Sequence, residues 1–151
     1  AYVTGYTRGS IDGNTNQGDV DMFLMKYNSS GTRQWSRMLG TSESNYGNGI
    51  ALDSSNNIYV TGYTEDGLDG NSSAGEGDIF LVKYNSSGTK QWTVQHGTSA
   101  NDYGKKIAID AKGYIYLLAD GYGGIDGNTN SGSEGWGDIY LLKYNSSGVK
   151  Q

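Results

Sequence analysis

The feature of this sequence that most restricts its fold is a repeat with a period of 57 residues. The run YVTGYT stands at Tyr2–Thr7 and again at Tyr59–Thr64. The run KYNSSG begins at Lys26 and Lys83, and a third copy begins at Lys143 after a short insertion. Self-similarity at a fixed period of this length is typical of proteins built from stacked copies of one small structural unit. The fold is therefore best predicted from a single period.

One period predicts four short β-strands and no long helix. In the second copy we expect strands at 49–53, 58–64, 78–84 and 90–97. The turns between them are rich in Asn, Ser and Gly, because Asn side chains bond the local backbone and Gly readily adopts positive φ. With 25 Gly, 13 Tyr and no Pro, the composition is that of an all-β protein.

The first three strands of each period are apolar or aromatic at nearly every position, which predicts sheets that are covered on both faces. Repeated four-stranded antiparallel sheets of this kind are typical of a β-propeller, in which each sheet is one blade. We predict an all-β fold of propeller blades, about two and a half of them, forming a partial propeller. The predicted blades are 1–39, which lacks its inner strand, 47–96, and 104–151, whose outer strand is truncated.

The ordered motifs NIYVTGYT, LDGN, GDIFLVKYNSSGTKQW and GTSANDYG resemble the SBBP repeats, a family of seven-bladed β-propeller repeats in bacterial and archaeal surface proteins. The resemblance extends over the whole chain. It implies a propeller fold and an extracellular or cell-surface location. It implies no known enzymatic activity.

The blade count determines the expected partners. Closed propellers typically have about four to eight blades, so this chain leaves two apolar sheet faces uncovered. We expect the missing blades to come from the parent chain or from a homo-oligomer, such as a two-fold dimer. A strand donated by another polypeptide is an alternative for the first blade. The net charge of −5 argues against a nucleic-acid partner, and no apolar run is long enough for membrane insertion.

The sequence carries no recognisable catalytic pattern. It has no Cys, and its one His, His96, has no nucleophile at a fixed spacing. Near-identical repeats also argue against catalysis, because an active site needs residues that occur once. We expect a non-enzymatic scaffold or adhesion module that binds a glycan or a surface protein. The alternatives are a lectin-like, carbohydrate-binding propeller, and a fragment of a propeller hydrolase or lyase whose active site lies in other blades.

The long loop of each copy carries oxygen-bearing side chains at a fixed spacing, a pattern that suits calcium. The alternative is that these side chains only cap turns through the local backbone. The candidate calcium ligands are Asp12, Asn14, Asn16 and Asp21 in the first copy, Asp69, Asn71, Ser73 and Asp78 in the second, and Asp126, Asn128, Asn130 and Asp138 in the third.

Two further sets of residues are candidates for binding or modification. Tyr122 and Trp136, the latter in the insertion of the third copy, can stack on a sugar ring, although Trp136 can equally plug its longer loop. The repeated aromatic residues, including Trp35 and Trp92, are expected to pack between blades. The triplet NSS is a glycosylation acceptor sequence and stands at Asn28, Asn71, Asn85 and Asn145. Three of these asparagines, Asn28, Asn85 and Asn145, belong to turns and are expected to be exposed.

Overall fold

The structure is a computed structural model that describes residues 1–131 and 137–151. It confirms the all-β prediction: the helical pieces in the described residues are single 3₁₀ turns at Leu68–Gly70 and Ile125–Gly127. In the same residues no helix has the length and apolar character needed to cross a membrane. The strands are β1 (Tyr2–Thr7), β2 (Asp21–Tyr27), β3 (Arg33–Leu39), β4 (Asn45–Leu52), β5 (Ile58–Thr64), β6 (Asp78–Tyr84), β7 (Lys90–His96), β8 (Asp102–Ile109), β9 (Ile115–Gly121) and β10 (Asp138–Tyr144).

These strands form three antiparallel sheets in which chain neighbours pair. The first sheet has the order β1-β2-β3, the second β4-β5-β6-β7, and the third β8-β9-β10. An isolated bridge between Tyr144 and Lys150 extends the third sheet where a fourth strand would begin. The arrangement is that of a partial propeller, with a complete four-stranded blade between two partial ones.

The innermost strands are longer than predicted. We expected strand 49–53 after a loop, but β4 begins at Asn45 and β8 begins at Asp102. Each of these strands contains one extra residue that shifts the pairing register. The shift lies between Gly47 and Gly49 in β4 and between Gly104 and Lys106 in β8. Such β-bulges allow pairing to continue beyond an irregular residue. The tyrosines of the SNYG and NDYG segments therefore lie on strands, not in loops.

The core lies between neighbouring sheets. Met22 and Leu24 of β2 cluster with Phe80 and Val82 of β6, and all four are fully buried. On the other side of the second sheet, buried residues of β5 and β6 cluster with buried residues of the third sheet; this second cluster includes Tyr59, Ile79, Leu81, Ile115, Leu117, Leu142 and Tyr144. The middle sheet is thus covered on both faces, as its continuous apolar pattern predicts.

The repeated tryptophans pack between sheets, as expected. The Trp35 ring of the first sheet lies against Gly88 in the NSSG turn of the second, so that a Cβ on Gly88 would stand 3.1 Å from the ring. Trp92 lies in the same way against Gly148 of the third sheet. Lys26 and Lys83 strengthen these junctions, since each donates to a serine carbonyl of the next sheet's turn, 3.2 Å away.

The chain offers a matched test of this contact. Gly31 occupies the same turn of the first sheet as Gly88, at φ 76° against 79°, but no atom lies near its missing Cβ. We expect Gly31→Ala to destabilise the fold by about 1 kcal/mol, through left-handed strain alone. Gly88→Ala should cost about 1–2 kcal/mol more, because its methyl group also displaces Trp35. Urea unfolding of both variants measures the difference, and equal costs would show that the Trp35 contact contributes nothing.

Candidate binding surface

The long loops and the connections between sheets meet at one end of the blades. Thr7 pairs with Asp21 and Thr64 pairs with both Asp78 and Asn45. Consequently β1, β5 and β9 finish where β2, β6 and β10 start, and β4 and β8 also begin there. We call this the loop end of the structure. Both ends of each long loop and the connections between sheets therefore lie on one surface.

A continuous line of five tyrosines crosses all three sheets at the loop end. Tyr46 and Tyr63 stack with their ring centroids 4.5 Å apart and their planes at 12°. Edge-on contacts extend the line from Tyr46 to Tyr6 at 4.8 Å, from Tyr63 to Tyr103 at 4.6 Å, and from Tyr103 to Tyr122 at 6.1 Å. We call these five residues the tyrosine row.

The two ends of the tyrosine row are its most accessible parts. Tyr6 is 56% exposed and Tyr122 is 44% exposed, whereas the three tyrosines between them are partly buried. Tyr46 and Tyr63 cover each other's faces, so a planar ligand can stack only on the end rings. Exposed aromatic rings with a polar hydroxyl are typical of binding surfaces.

Charged side chains surround the centre of the row. Burial raises the pKa of Tyr63, and its neighbour Tyr46 and the carboxylate of Glu65 raise it further. The pKa of Tyr103 is also raised, first by burial and then by Tyr122 and nearby carboxylates. The Lys105 ammonium lies 4.9 Å from the Tyr103 ring centroid, a cation–π distance. The row therefore offers aromatic, acidic and basic groups within one short stretch.

The aspartate of the IDGN or LDGN motif in each long loop forms an ion pair rather than standing free. Asp12 pairs with Arg33, Asp69 with Lys90, and Asp126 with Lys150, so each pair ties a loop to the outer edge of its own sheet. The following Asn of each loop closes the turn, donating its side-chain N–H to the carbonyl three residues earlier; these residues are Asn14, Asn71 and Asn128.

The remaining calcium candidates also bond the local backbone. Asn16, Ser73 and Asn130 donate to the carbonyls of Gly18, Gly75 and Tyr122. Asp21, Asp78 and Asp138 each accept a loop N–H, from Gln17, Ala74 and Ser131. In the described residues no group of three or more acidic, His or Cys side chains is arranged to hold a metal. The turn-capping roles are thus visible, and calcium in these loops stays a prediction.

The other candidates fall in different places. Tyr122 ends the tyrosine row, while Trp136 lies outside the described residues. Asn28 is exposed, but Asn85 and Asn145 are partly buried, and the side-chain oxygen of each accepts two N–H groups of its own turn. His96 lies 3.0 Å from Asp126, at the outer side of the loop ion pair.

Sequence reasoning missed four members of the tyrosine row. Tyr6 and Tyr63 belong to the repeated YVTGYT motif, and Tyr46 and Tyr103 to the repeated SNYG and NDYG segments. We expected such repeated residues to serve packing or turns. The available signal was their common position at strand ends on the loop side, which places them on one surface.

An open, mainly polar groove lies beside the first sheet. It is lined by the loop ion pair and by the neighbouring outer strand; the lining residues include Asp12, Asn14, Arg33, Trp35 and Arg37. The groove holds the turn-capping Asn14 and the Asp12–Arg33 pair, so it belongs to the fastening of the loop described above.

Comparison with known proteins identifies the repeat. The family model SBBP, described as a beta-propeller repeat, matches residues 34–69 and 91–126. Each match runs from the outer strand of one sheet, through the first two strands of the next, to its 3₁₀ turn. The sequence repeat is therefore offset from the sheets, so that every matched unit joins two neighbouring sheets.

Two curated proteins are similar to the chain. The regulatory protein FlaEY of Caulobacter vibrioides is 27% identical over 149 residues, which covers 93% of this chain and 16% of that protein. An uncharacterized WD repeat-containing protein of the Acanthamoeba polyphaga mimivirus is 30% identical over 112 residues, covering 67% of this chain and 8% of that protein. The chain thus spans less than a fifth of the length of either relative.

The buried centre of the row should make stability sensitive to alkali. The raised pKa of Tyr63 means that its contribution to folding is complete below about pH 10, where unfolded tyrosine ionises, and is lost as the pH rises through the folded pKa. Above pH 10 the unfolding free energy of the Tyr63→Phe variant should decrease less steeply with pH than that of the wild type. The difference between the two slopes should be a fraction of the roughly 1.4 kcal/mol per pH unit that uptake of one full proton gives.

Urea unfolding at pH 8, 10 and 11.5 measures this slope. The control is Tyr6→Phe, because the Tyr6 ring is 56% exposed. A Tyr63→Phe variant with the wild-type slope would contradict the expectation.

Proposed function

Because this chain belongs to the SBBP family of β-propeller repeats, we propose that it is a non-enzymatic propeller module, a scaffold with a binding surface, which is completed by further blades. Its place is outside the cell or on the cell surface. Further copies of this chain supply the missing blades. The observation that carries the proposal is the state of its two outermost sheet faces.

One open face belongs to the third sheet. In the second sheet Ile79 and Leu81 are 1% exposed, because the third sheet covers them. Their counterparts in the third sheet, Ile139 and Leu141, are 74% and 69% exposed. Burial of a branched side chain of this size stabilises a protein by about 1.5–3 kcal/mol relative to leaving it in water. This face is therefore stabilised if another sheet packs on it, as the third sheet packs on the second.

The other open face belongs to the first sheet. It corresponds to the side by which the second and third sheets pack on the sheet before them. Val60 of the second sheet is fully buried against the first sheet, and Leu117 of the third is fully buried against the second. Their counterpart in the first sheet, Val3, is 44% exposed. The two open faces thus repeat the two sides of the interfaces already present. A second copy of the chain can stack head to tail by the same contacts.

The engagement of the titratable loop residues supports a non-enzymatic role. His96 is bonded to Asp126, and Asp126, Asp69 and Asp12 each form ion pairs. The three ion pairs of the loop aspartates with Arg or Lys recur from sheet to sheet, as expected for fastening of the fold. His96 occurs once, but its partner Asp126 is already held by Lys150.

Assembly is tested by charging the open face. We expect Leu141→Glu to reduce the mass of the particle in solution while leaving the β-sheet circular dichroism unchanged, because Leu141 is buried only in the assembled ring. Sedimentation velocity measures the mass. Ser54→Glu, which adds the same charge on an exposed turn, is the control. A folded, monodisperse monomer of the unaltered chain would refute self-assembly and leave the parent chain as the source of the blades.

Carbohydrate binding at the loop end is a second candidate function. It is favoured by the exposed rings of Tyr6 and Tyr122, since aromatic rings stack on the apolar faces of sugars. Acidic groups that accept sugar hydroxyls are available close by: Asp120 lies beside the row, in an ion pair with Lys105. The row therefore offers a sugar one exposed ring at each of its two ends.

A glycan array followed by titration of the best ligand tests this function. We expect Tyr122→Ala to weaken binding by about threefold to tenfold, the loss of one aromatic contact. Trp136→Ala should have a similar effect if the insertion shares the site. Tyr114→Ala changes a tyrosine at the opposite end of the blades and should leave binding intact. Binding that survives Tyr122→Ala and Tyr6→Ala would place the glycan elsewhere.

A further inference from the structure

Two buried carboxylates meet where the second sheet packs against the third. Asp78 begins β6 and Asp102 begins β8, and neither residue has exposed surface. A Cβ on Gly97 would collide with Oδ1 of Asp78 and lie 3.2 Å from Oδ2 of Asp102, so the two carboxylates lie close to each other. Like charges held this close inside a protein repel each other strongly.

Only half of each carboxylate is satisfied by the protein. Oδ2 of Asp78 accepts hydrogen bonds from the Ala74 N–H at 2.7 Å and the Gln95 amide at 2.8 Å. Oδ2 of Asp102 accepts the N–H and hydroxyl of Thr98. Oδ1 of each residue is buried and has no hydrogen-bond partner. Oδ1 of Asp21, the counterpart of Asp78 at the first junction, is unpartnered in the same way, so the second junction differs by the unpartnered Oδ1 of Asp102. A buried carboxylate oxygen without a partner is costly, and a bound cation would supply one.

The junction between the first and second sheets shows what has changed. There Asn45 stands at the position of Asp102, and its Oδ1 accepts the Thr64 hydroxyl at 2.8 Å. At the second junction Gly121 stands at the position of Thr64, and a Cβ on Gly121 would lie 2.6 Å from Oδ1 of Asp102. Two substitutions therefore act at one point: a neutral amide becomes a carboxylate, and its hydroxyl donor is removed.

We propose that a hard divalent cation, calcium, binds between Asp78 and Asp102 and joins the second sheet to the third. Calcium is bound by carboxylate and neutral oxygens, usually six to eight of them. In the described part of the chain no group of three acidic or His side chains forms a metal cluster. The pair therefore supplies the charge, and neutral oxygens of the adjoining loop or water complete the coordination.

This site differs from calcium binding by the long loops. It uses Asp78 but not Asp69, which is held by Lys90 and Thr93. Its second ligand, Asp102, comes from the connection between sheets and from a different blade. It is also independent of ring assembly and of glycan binding, since both ligands belong to an interface within one chain.

Terbium is a luminescent substitute for calcium and is excited by nearby tyrosines, of which Tyr103 adjoins Asp102. We expect the chain, stripped with chelator, to bind terbium and to release it to calcium. Calcium at about 100 times its dissociation constant should raise the melting temperature by roughly 5–10 °C. Asp102→Asn restores the residue of the first junction. It should lower cation affinity at least tenfold and, in chelator, melt at or above the wild-type temperature, because one buried charge is gone.

Matched variants separate the alternatives. Asp120→Asn removes a surface carboxylate beside the same strand, and Asp69→Asn removes the first candidate of the long loop; both should keep the calcium response. The double variant Asn45→Asp with Thr64→Gly should raise the number of bound ions from one to two. The proposal is overturned if the wild type shows neither luminescence nor a calcium-dependent melting temperature, if Asp102→Asn keeps the full response, or if Asp69→Asn abolishes it.

Discussion

The structure depends on the burial of each sheet face against the next sheet. A single sheet of this chain has no other place to bury its apolar side chains, since its middle strands carry apolar side chains on both faces, as in Ile79–Val82 of β6. Met22 and Leu24 are buried only because Phe80 and Val82 stand opposite, and Leu81 only because the third sheet does. The stability of such a stack is approximately a sum of unit and nearest-neighbour terms. Assembly is therefore a direct continuation of folding.

Polar contacts determine how the sheets are aligned once their faces are buried. At the turn end, Trp35 covers Gly88 while Lys26 reaches a carbonyl of the same turn. Ion pairs such as Asp69–Lys90 hold each long loop against the outer strand of its own sheet. The exposed ion pairs contribute little free energy, because solvent screens them. They fix the path of the loop along the outer strand, where Asp69 also accepts the Thr93 hydroxyl.

Strand positions could be predicted well because they depend on local pattern. The predicted strands 58–64 and 78–84 coincide with β5 and β6, since an apolar run ending in Asn, Ser and Gly defines both ends. The start of β4 could not be predicted in this way. The bulge at Gly47–Gly49 is set by pairing with β5 and not by the residues Asn45 to Gly47 themselves. Local sequence therefore predicts the ends of a strand accurately only where a turn lies directly next to that strand.

The tyrosine row escaped prediction for a related reason. Tyr63 contacts Tyr46 on the neighbouring strand of its own blade and Tyr103 in the adjacent blade. No local sequence pattern reveals either contact. The same holds for the loop aspartates, whose spacing suits calcium but whose partners, Arg33 and Lys90, lie 21 residues away in sequence. Oxygen spacing along a chain predicts a metal site only when the loop folds around one point. Here each loop is instead held along the outer strand of its own sheet.

Because the repeats are nearly identical, the few positions at which they differ are the most informative about function. Where copies agree, as in the turn asparagines, the residue serves the blade and its contacts recur. Where they differ at a buried position, the local balance of charge and hydrogen bonds changes with them. The exchange of Asn45 for Asp102 is of this kind, because the compensating donor, Thr64, changes to Gly121 in the same blade. A buried carboxylate that loses its donor must gain another counterpart or take up a proton, since water cannot reach it freely. Function in such a chain is therefore best sought where two residues in contact both differ from their counterparts in the other copies.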